Sequence, residues 1–468
     1  MAMHGTMSSR CALLCCVLVS YGAGALTKDL ALWRGETAAE LVEGCFELGE
    51  APAPLEVRVG SLRSVRYAPV ARSLQRCEAY DRVVWDGGTG AVRAVEIHVP
   101  ADAKPGVYAW GDIRITVLDR VLPPPREWRY YLDLWQHPWA VARIAGVEPF
   151  SKAHYEAMRP VYELLATAGQ KTVTVPIVDR PWDHQCRDAY HSLVEDGDFR
   201  TFDEYVEFCF SCGLGPDISC YSLCPWSLKL EPGTPAFEKR WGAFLERFAA
   251  HLKTKGWYER TVMAMDERAP EQVKSVVDFV RRHAPGLRIA MAGNRNPADF
   301  AGIEIDIYSQ TLEHVDDAFL VEAAARREKG FKTTHYVCCA PDHPNTFLSS
   351  GPGEAFWLGV YPAVVGLDGF LRWAWNSWPQ DPCSDASFAF WASGDTFLCY
   401  PGGEPSWRFL ELRNGITTAE KIRILKEGDG FMQSFDDFRK LFVLSEALEG
   451  KSDFDRIRRA ANVLVNRP

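Results

Sequence analysis

From residue 128 to residue 378 the chain repeats one alternation. A short run rich in apolar and β-branched residues is followed, in most cases, by a longer amphipathic stretch. The short runs lie at 128–137, 171–178, 217–222, 261–267, 287–293, 304–310, 332–339 and 368–378. Helical periodicity marks 151–169, 202–213, 234–256, 270–286, 315–330 and 353–366. Period-two runs alternating with 3.6-period runs are the pattern of βα units, and eight of them predict an α/β fold built as a (β/α)8 TIM-like barrel.

The flanks read differently. Between about 27 and 120 the runs are all β-like and split by Gly and Pro turns, which predicts a small β-sandwich over 26–122. Residues 121–128, "VLPPPREW", form a stiff linker, so the barrel is expected over 126–402. From 403 to 468 the pattern is helical and polar-faced, a helical extension packed on the barrel. At the N-terminus Arg10 precedes an apolar run, 11–25, that ends in Ala23-Gly24-Ala25. This reads as a signal peptide over 1–25 and predicts an exported protein, periplasmic or extracellular, with Cys15 and Cys16 leaving lipoprotein anchoring open. Beyond it no apolar run is long enough to span a bilayer.

A net charge of −10 without any Lys/Arg run speaks against nucleic acid as a partner. The chain has no glycine-rich nucleotide loop, and no cofactor is implied. Cys209-x-x-Cys212 with Cys220 and Cys224 has metal-like spacing, but the first pair sits on one face of a helical pattern. Buried or disulfide-forming thiols are expected there and no metal; vicinal Cys338 and Cys339 are read as core. The unusual component is aromatic: 16 Trp and 16 Tyr, many beside polar residues in loop-like positions. An indole face packs well on the C–H face of a sugar ring while its rim stays polar.

In a barrel of this type, functional side chains stand at the C-terminal ends of strands and in the loops that follow. That rule gathers Asp133, Trp135 and His137 from the first strand, and Trp182, Asp183 and His184 from the loop after the second. Tyr221 ends the third, with Trp226 nearby. Asp266 and Glu267 end the fourth, Asn294 the fifth, Tyr308 the sixth, His335 and Tyr336 the seventh. The eighth brings Trp373, Trp375, Asn376 and Trp378. Trp373 and Trp375 alternate faces, so at most one floors a pocket and the other is core. Arg372 is expected to point into the barrel and pair with a carboxylate, and Asp395 to stabilise a turn. Acids, amides and aromatics without a phosphate loop fit a carbohydrate cleft.

The adjacency of Asp266 and Glu267 is the chemical clue. Most glycosidases hold two carboxyl groups about 5–10 Å apart on opposite sides of the scissile bond. Sequence neighbours suit instead a substrate-assisted reaction, in which the sugar's 2-acetamido oxygen attacks the anomeric carbon. One carboxyl then protonates the leaving oxygen, while the other holds the acetamido N–H and stabilises the oxazolinium charge.

The stretches "AMDER" (264–268), "IAMAGN" (289–294), "IYSQ" (307–310), "HYVCC" (335–339) with "NTF" (345–347), "GFLRWAWNSWPQDP" (369–382) and "GDTFLCYPG" (394–402) resemble the catalytic domain of glycoside hydrolase family 123. "YYLDLWQHP", "VPIVDRPWDHQC" and "ISCYS" extend the likeness back to the linker, so that it covers about 125–425. The resemblance implies an exo-acting, retaining N-acetyl-β-galactosaminidase, with a glycan or glycoconjugate ending in an N-acetylhexosamine as its partner. By it Glu267 is the general acid/base, Asp266 orients the acetamido group, and Tyr336 or Tyr308 bonds the acetamido carbonyl. Asn294, Trp373, Asn376, Trp378, His137, Asp183, His184 and Tyr221 are the further substrate-binding candidates. Two other readings stand beside it: a barrel that binds sugar without hydrolysing it, and a glycosidase for another sugar.

Overall fold

The computed structural model describes residues 28–43, 49–88, 92–182, 186–194, 197–226, 230–295, 297–428 and 431–467. The expected signal peptide lies outside the described residues, as do Asp183 and His184. The first unit has two sheets. Strands β1 (Lys28–Arg34), β6 (Gly106–Trp110) and β7 (Ile113–Val121) form one, in the order β1-β7-β6; β2 (Thr37–Glu43), β3 (Glu56–Tyr67), β4 (Cys77–Val84) and β5 (Val92–His98) form the other, in the order β2-β5-β3-β4. Period-two alternation turns Ile113, Ile115 and Val117 of β7 inward, where they meet Val95 and Ile97 of β5 and Leu32 of β1 in a sandwich core.

Eight parallel strands follow: β8 (Tyr131–Leu134), β9 (Thr172–Pro176), β10 (Asp217–Tyr221), β11 (Thr261–Asp266), β12 (Arg288–Gly293), β13 (Ile307–Thr311), β14 (Lys332–Tyr336) and β15 (Gly369–Arg372). All eight coincide with the runs read from sequence. Helices α1 (Pro138–Ala145), α2 (Lys152–Ala166), α3 (Arg200–Ser211), α4 (Pro235–Lys255), α5 (Pro270–His283), α6 (Asp317–Glu328) and α7 (Pro352–Val365) surround them, and only a 3-10 turn, Pro297–Phe300, links β12 to β13. Strands β9 and β10 are buried along their whole length, as strands covered on both faces must be.

The sheet is laddered in the order β8-β15-β14-β13-β12-β11-β10-β9, which leaves a seam between β8 and β9. Two glutamine side chains stand in for the missing ladder. Gln170 Oε1 accepts from Leu134 N at 3.0 Å and its Nε2 donates to Leu134 O at 3.2 Å. Gln136 Oε1 accepts from Thr174 N at 2.8 Å, and Lys171 N donates to Leu132 O at 2.9 Å. Buried peptide groups left unpaired here would cost free energy at each position, so the amides close the barrel chemically.

Helix α8 (Trp407–Leu425) follows β15 and packs along α7; Gly359 and Gly415 meet at the crossing, where a Cβ on either would strike the facing backbone. Helices α9 (Phe431–Arg439), α10 (Leu444–Leu448) and α11 (Phe454–Val465) continue as the tail. The polar residues of α8, read from sequence as a surface face, are buried. Arg408 pairs with Asp81 at 3.0 Å, Arg413 with Glu96 at 2.5 Å and Lys421 with Glu36 at 2.5 Å, all acids of the sandwich. Each charge is neutralised by a partner that sequence spacing does not show.

Gln170→Ala leaves Leu134 N–H unpaired in the seam. The expected loss is about 1–3 kcal/mol of unfolding free energy, read from the urea midpoint; an unchanged midpoint would place the closure elsewhere.

Candidate active site

Strand β11 is apolar and buried up to Met265, then delivers Asp266 and Glu267 at the C-terminal mouth of the barrel. In an uninterrupted strand these neighbours would face opposite ways. Glu267 instead adopts φ +50, the left-handed region that non-glycine residues seldom occupy, while its N–H still donates to Ala292 O of β12 at 2.8 Å. The turn brings both carboxylates to one cavity of about 240 Å3.

Each carboxylate is gripped by donors from other strand ends. Trp226 Nε1, in the loop after β10, donates to Asp266 Oδ2 at 2.9 Å. The Arg268 guanidinium lies 4.3 Å over the Trp226 ring, and its Nε donates to Asp266 O at 2.9 Å, fixing the indole from behind. Tyr336, the last residue of β14, donates its hydroxyl to Glu267 Oε1 at 2.7 Å. Asn294, just past β12, donates its Nδ2 to Glu267 Oε2 at 2.9 Å. Burial and the Glu267 charge raise the Tyr336 phenol well above its ordinary range, so it stays a donor.

Aromatic rings make most of the remaining wall: Trp135, Trp182, Trp226, Tyr336, Trp373 and Trp391. Trp135 and Trp182 lie 4.9 Å apart, centroid to centroid, and Tyr221 packs against both at 4.6 and 5.0 Å. Cys186, Cys338, Cys339, Ala292 and Leu371 complete the lining. Among the described lining residues, Asp266 and Glu267 are the only acids. Beneath Trp135, Asp133 accepts the Thr172 hydroxyl and is pushed up to about 6 by burial. Among the described residues no cluster of His, Cys, Asp and Glu could hold a metal ion, and no helix is long and apolar enough to cross a membrane.

The structure thus brings together Asp266, Glu267, Tyr336, Asn294 and Trp373 from the sequence-derived set, and places others elsewhere. Tyr221 supports the floor without lining it. Tyr308 points out of the barrel, because its neighbour Ser309 faces inward to bond Thr334 at 2.6 Å; its ring lies against Arg326 in a separate outer groove. Asn376 is fully buried and clamps the backbone of His137, accepting from N at 2.9 Å and donating to O at 3.0 Å. Trp378 spends its N–H on Cys399 O at 2.6 Å within the core. His137 immediately precedes α1 and makes no side-chain cap to it; its ring stacks 3.7 Å from Tyr190 and its Nε2 bonds Asp188 O, and burial lowers its pKa to about 3, so it is neutral.

Trp375 is core against Phe409, leaving Trp373 as the cavity member of that pair. Arg372 is paired with Asp395 at 2.9 Å, both fully buried, so Asp395 is an ion-pair partner beyond its place in a turn. Cys338 packs against the core and also lines the cavity, whereas Cys339 is an exposed wall residue and not core. Trp391 was not foreseen: it stands 19 residues beyond the end of β15 in a loop without periodicity.

The carboxylate pair and its indole wall stand at the C-terminal mouth of the barrel, where barrels of this type carry their functional side chains. Residues 135–425 match the glycoside hydrolase 123 catalytic domain, and the chain belongs to that family. A solved family 123 glycoside hydrolase from Clostridium perfringens, studied for glycolipid glycan hydrolysis, has a similar fold with a TM-score of 0.80; it is 22% identical, with 93% of each chain covered. A family 5 mannosidase from Rhizomucor miehei is 13% identical over 63% of this chain and 94% of its own, with a TM-score of 0.36. An endoglucanase from Pseudomonas stutzeri is 12% identical over 61% and 94%, with a TM-score of 0.37. Likeness at these last two scores carries no argument. No curated protein matches the chain.

Asp133 supplies a pH prediction. Its folded pKa of about 6 exceeds the ordinary 3.8, so the native state takes up a proton that the unfolded chain lacks between those values. Stability contributed by this group is therefore greatest below pH 4 and falls as pH rises through 6, by on the order of 3 kcal/mol. Asp133→Asn is expected to gain stability relative to the parent across that window, measured by urea midpoints from pH 4 to 7.

Proposed function

We propose that the protein releases a terminal β-linked N-acetylgalactosamine, with retention, using the sugar's own acetamido oxygen as nucleophile. The observation that carries this reading is that the two acids among the described lining residues of the cavity are consecutive in sequence. Two-carboxylate retaining enzymes need acids about 5–5.5 Å apart across the anomeric carbon, and inverting ones need about 6.5–9.5 Å. Where one wall bears both acids, attack from the other side of the ring falls to the substrate.

The roles are those the family resemblance implies, and the contacts support them. Glu267 gives its proton to the glycosidic oxygen as the acetamido oxygen bonds to the anomeric carbon and the aglycone departs. Asp266, held by Trp226, accepts the acetamido N–H and offsets the charge of the oxazolinium ring. Water then adds to the anomeric carbon, Glu267 takes its proton, and the acetamide is restored. The acetamido carbonyl competes with Glu267 for the Tyr336 hydroxyl, so arrival of substrate releases Glu267 Oε1 to carry the proton. A cavity of about 240 Å3 is below the ~300–1,000 Å3 of drug-sized sites, which supports the exo action that the resemblance implies.

The choice of galactosamine rests on the family resemblance. The Clostridium perfringens enzyme's action on glycolipid glycans supports a glycoconjugate as substrate. The apolar run at 11–25 supports export.

Release of nitrophenol from para-nitrophenyl β-N-acetylgalactosaminide tests the reading. Glu267→Gln is expected to lose about 10²–10⁴-fold in turnover on an unactivated N-acetylgalactosaminide, with an unchanged circular dichroism spectrum. Asp266→Asn is expected to fall at least as far as about 10²-fold. Calorimetric binding without any release by the parent enzyme would identify a sugar-binding barrel instead.

A further inference from the structure

Two thiols stand in the wall of the sugar cavity side by side. Cys338 Sγ and Cys339 Sγ are 3.8 Å apart, and both line the cavity that holds Asp266 and Glu267. The loop that carries them is fixed from behind. Arg372 Nη1 donates to Val337 O at 2.9 Å, Asn345 Nδ2 donates to Cys338 O at 3.0 Å, and Cys338 N donates to Ala340 O at 3.1 Å. Arg372 is itself locked by Asp395, so the two sulfurs are presented on a rigid turn rather than on a floppy loop.

The geometry favours a bridging atom over a direct bond. Disulfides usually join Cα atoms about 4.4–6.8 Å apart. Consecutive residues across a trans peptide sit only about 3.8 Å apart, so the S–S bond strains the ring it closes. One intervening atom relieves that strain, and a 3.8 Å sulfur gap leaves room for it. Among the described residues no third His, Cys, Asp or Glu completes a metal-binding group with them, so the pair is a two-sulfur chelate and not a metal cage. Cys339 is exposed, which supplies the entry. Cys338 is less accessible, so Cys339 is the leading nucleophile.

We propose that Cys338 and Cys339 form a bidentate site for trivalent arsenic and related soft electrophiles, and that its occupation closes the sugar cavity. In the reaction a hydrated organoarsenic(III) species brings two hydroxyls. Each thiol gives up its proton, each hydroxyl leaves as water, and two As–S bonds form with no change in oxidation state. The adduct stands beside Tyr336 and Trp373, where the sugar ring must enter. The proposal rests on the glycosidase reading for its activity readout and for protection by the sugar; incorporation of arsenic is measured without it.

The test treats the reduced full-length enzyme with phenylarsine oxide. Mass spectrometry is expected to show an adduct whose peptide map contains Cys338 and Cys339, formed more slowly in saturating N-acetylgalactosamine. Hydrolysis is expected to fall at least tenfold and to recover with 2,3-dimercaptopropanol. In Cys339→Ser the ratio of rates with and without the arsenical is expected to stay within twofold of one, whatever its basal rate. Cys212→Ser, which removes one of the two buried thiols Cys209 and Cys212 at the C-terminal end of α3, is expected to respond like the parent. Absence of an adduct, an adduct at Cys209 and Cys212, an equally sensitive Cys339→Ser, or an adduct at Cys338 and Cys339 that leaves hydrolysis unchanged would each overturn the proposal.

Discussion

Two carboxylates on consecutive residues face opposite ways in a regular strand, and the mouth of this barrel is organised around the turn that brings Asp266 and Glu267 to one cavity. Glu267 takes a left-handed backbone so that its side chain shares a cavity with Asp266. Neighbouring like charges in a partly dry pocket repel unless donors face them. The donors come from three other strand ends, Trp226 after β10, Asn294 after β12 and Tyr336 on β14, so the pair is held only when the barrel is closed and in register. Strand register, loop geometry and charge placement are in this sense one constraint.

The scaffold behind the mouth meets that constraint with buried polar chemistry rather than apolar packing alone. The seam between β8 and β9 is completed by Gln136 and Gln170, and the β14 and β15 ends are tied together by Arg372 reaching Val337 and Asp395. Helix α8 is joined to the sandwich through three buried ion pairs. Breaking one member of such a pair leaves an uncompensated charge and costs several kcal/mol, whereas the intact pair adds little net stability. Their consequence is orientation: the sandwich, the last barrel helix and the strand ends are located relative to one another.

Much of this was legible in the residues. Eight β-branched runs separated by amphipathic ones can bury their faces in few ways, and the C-terminal-end rule then pointed at Asp266, Glu267, Asn294 and Tyr336. What escaped was orientation in space. Tyr308 ends a strand as Tyr336 does, yet inward Ser309 turns it outside the barrel. Asn376 and Trp378 carry polar groups that read as ligand contacts, but the backbone of His137 and Cys399 consumes them. The charges of α8 read as solvated because their partners, Asp81, Glu96 and Glu36, lie over 300 residues away in the sandwich. Trp391 belongs to an irregular loop that carries no periodic signal. The misses at Asn376 and on α8 concern partners distant in sequence, which neither propensity nor spacing encodes.

In the proposed mechanism the sugar supplies the attacking atom while Asp266 and Glu267 work from one side. The most direct measurement is the inhibition constant of the thiazoline analogue of N-acetylgalactosamine, a stable mimic of the cyclic intermediate, beside that of the free sugar. A mechanism through that ring predicts binding at least about 10²-fold tighter for the thiazoline, as expected of an analogue of the high-energy state. Equal or weaker binding would contradict it, since an enzyme that never forms the ring has no reason to recognise one.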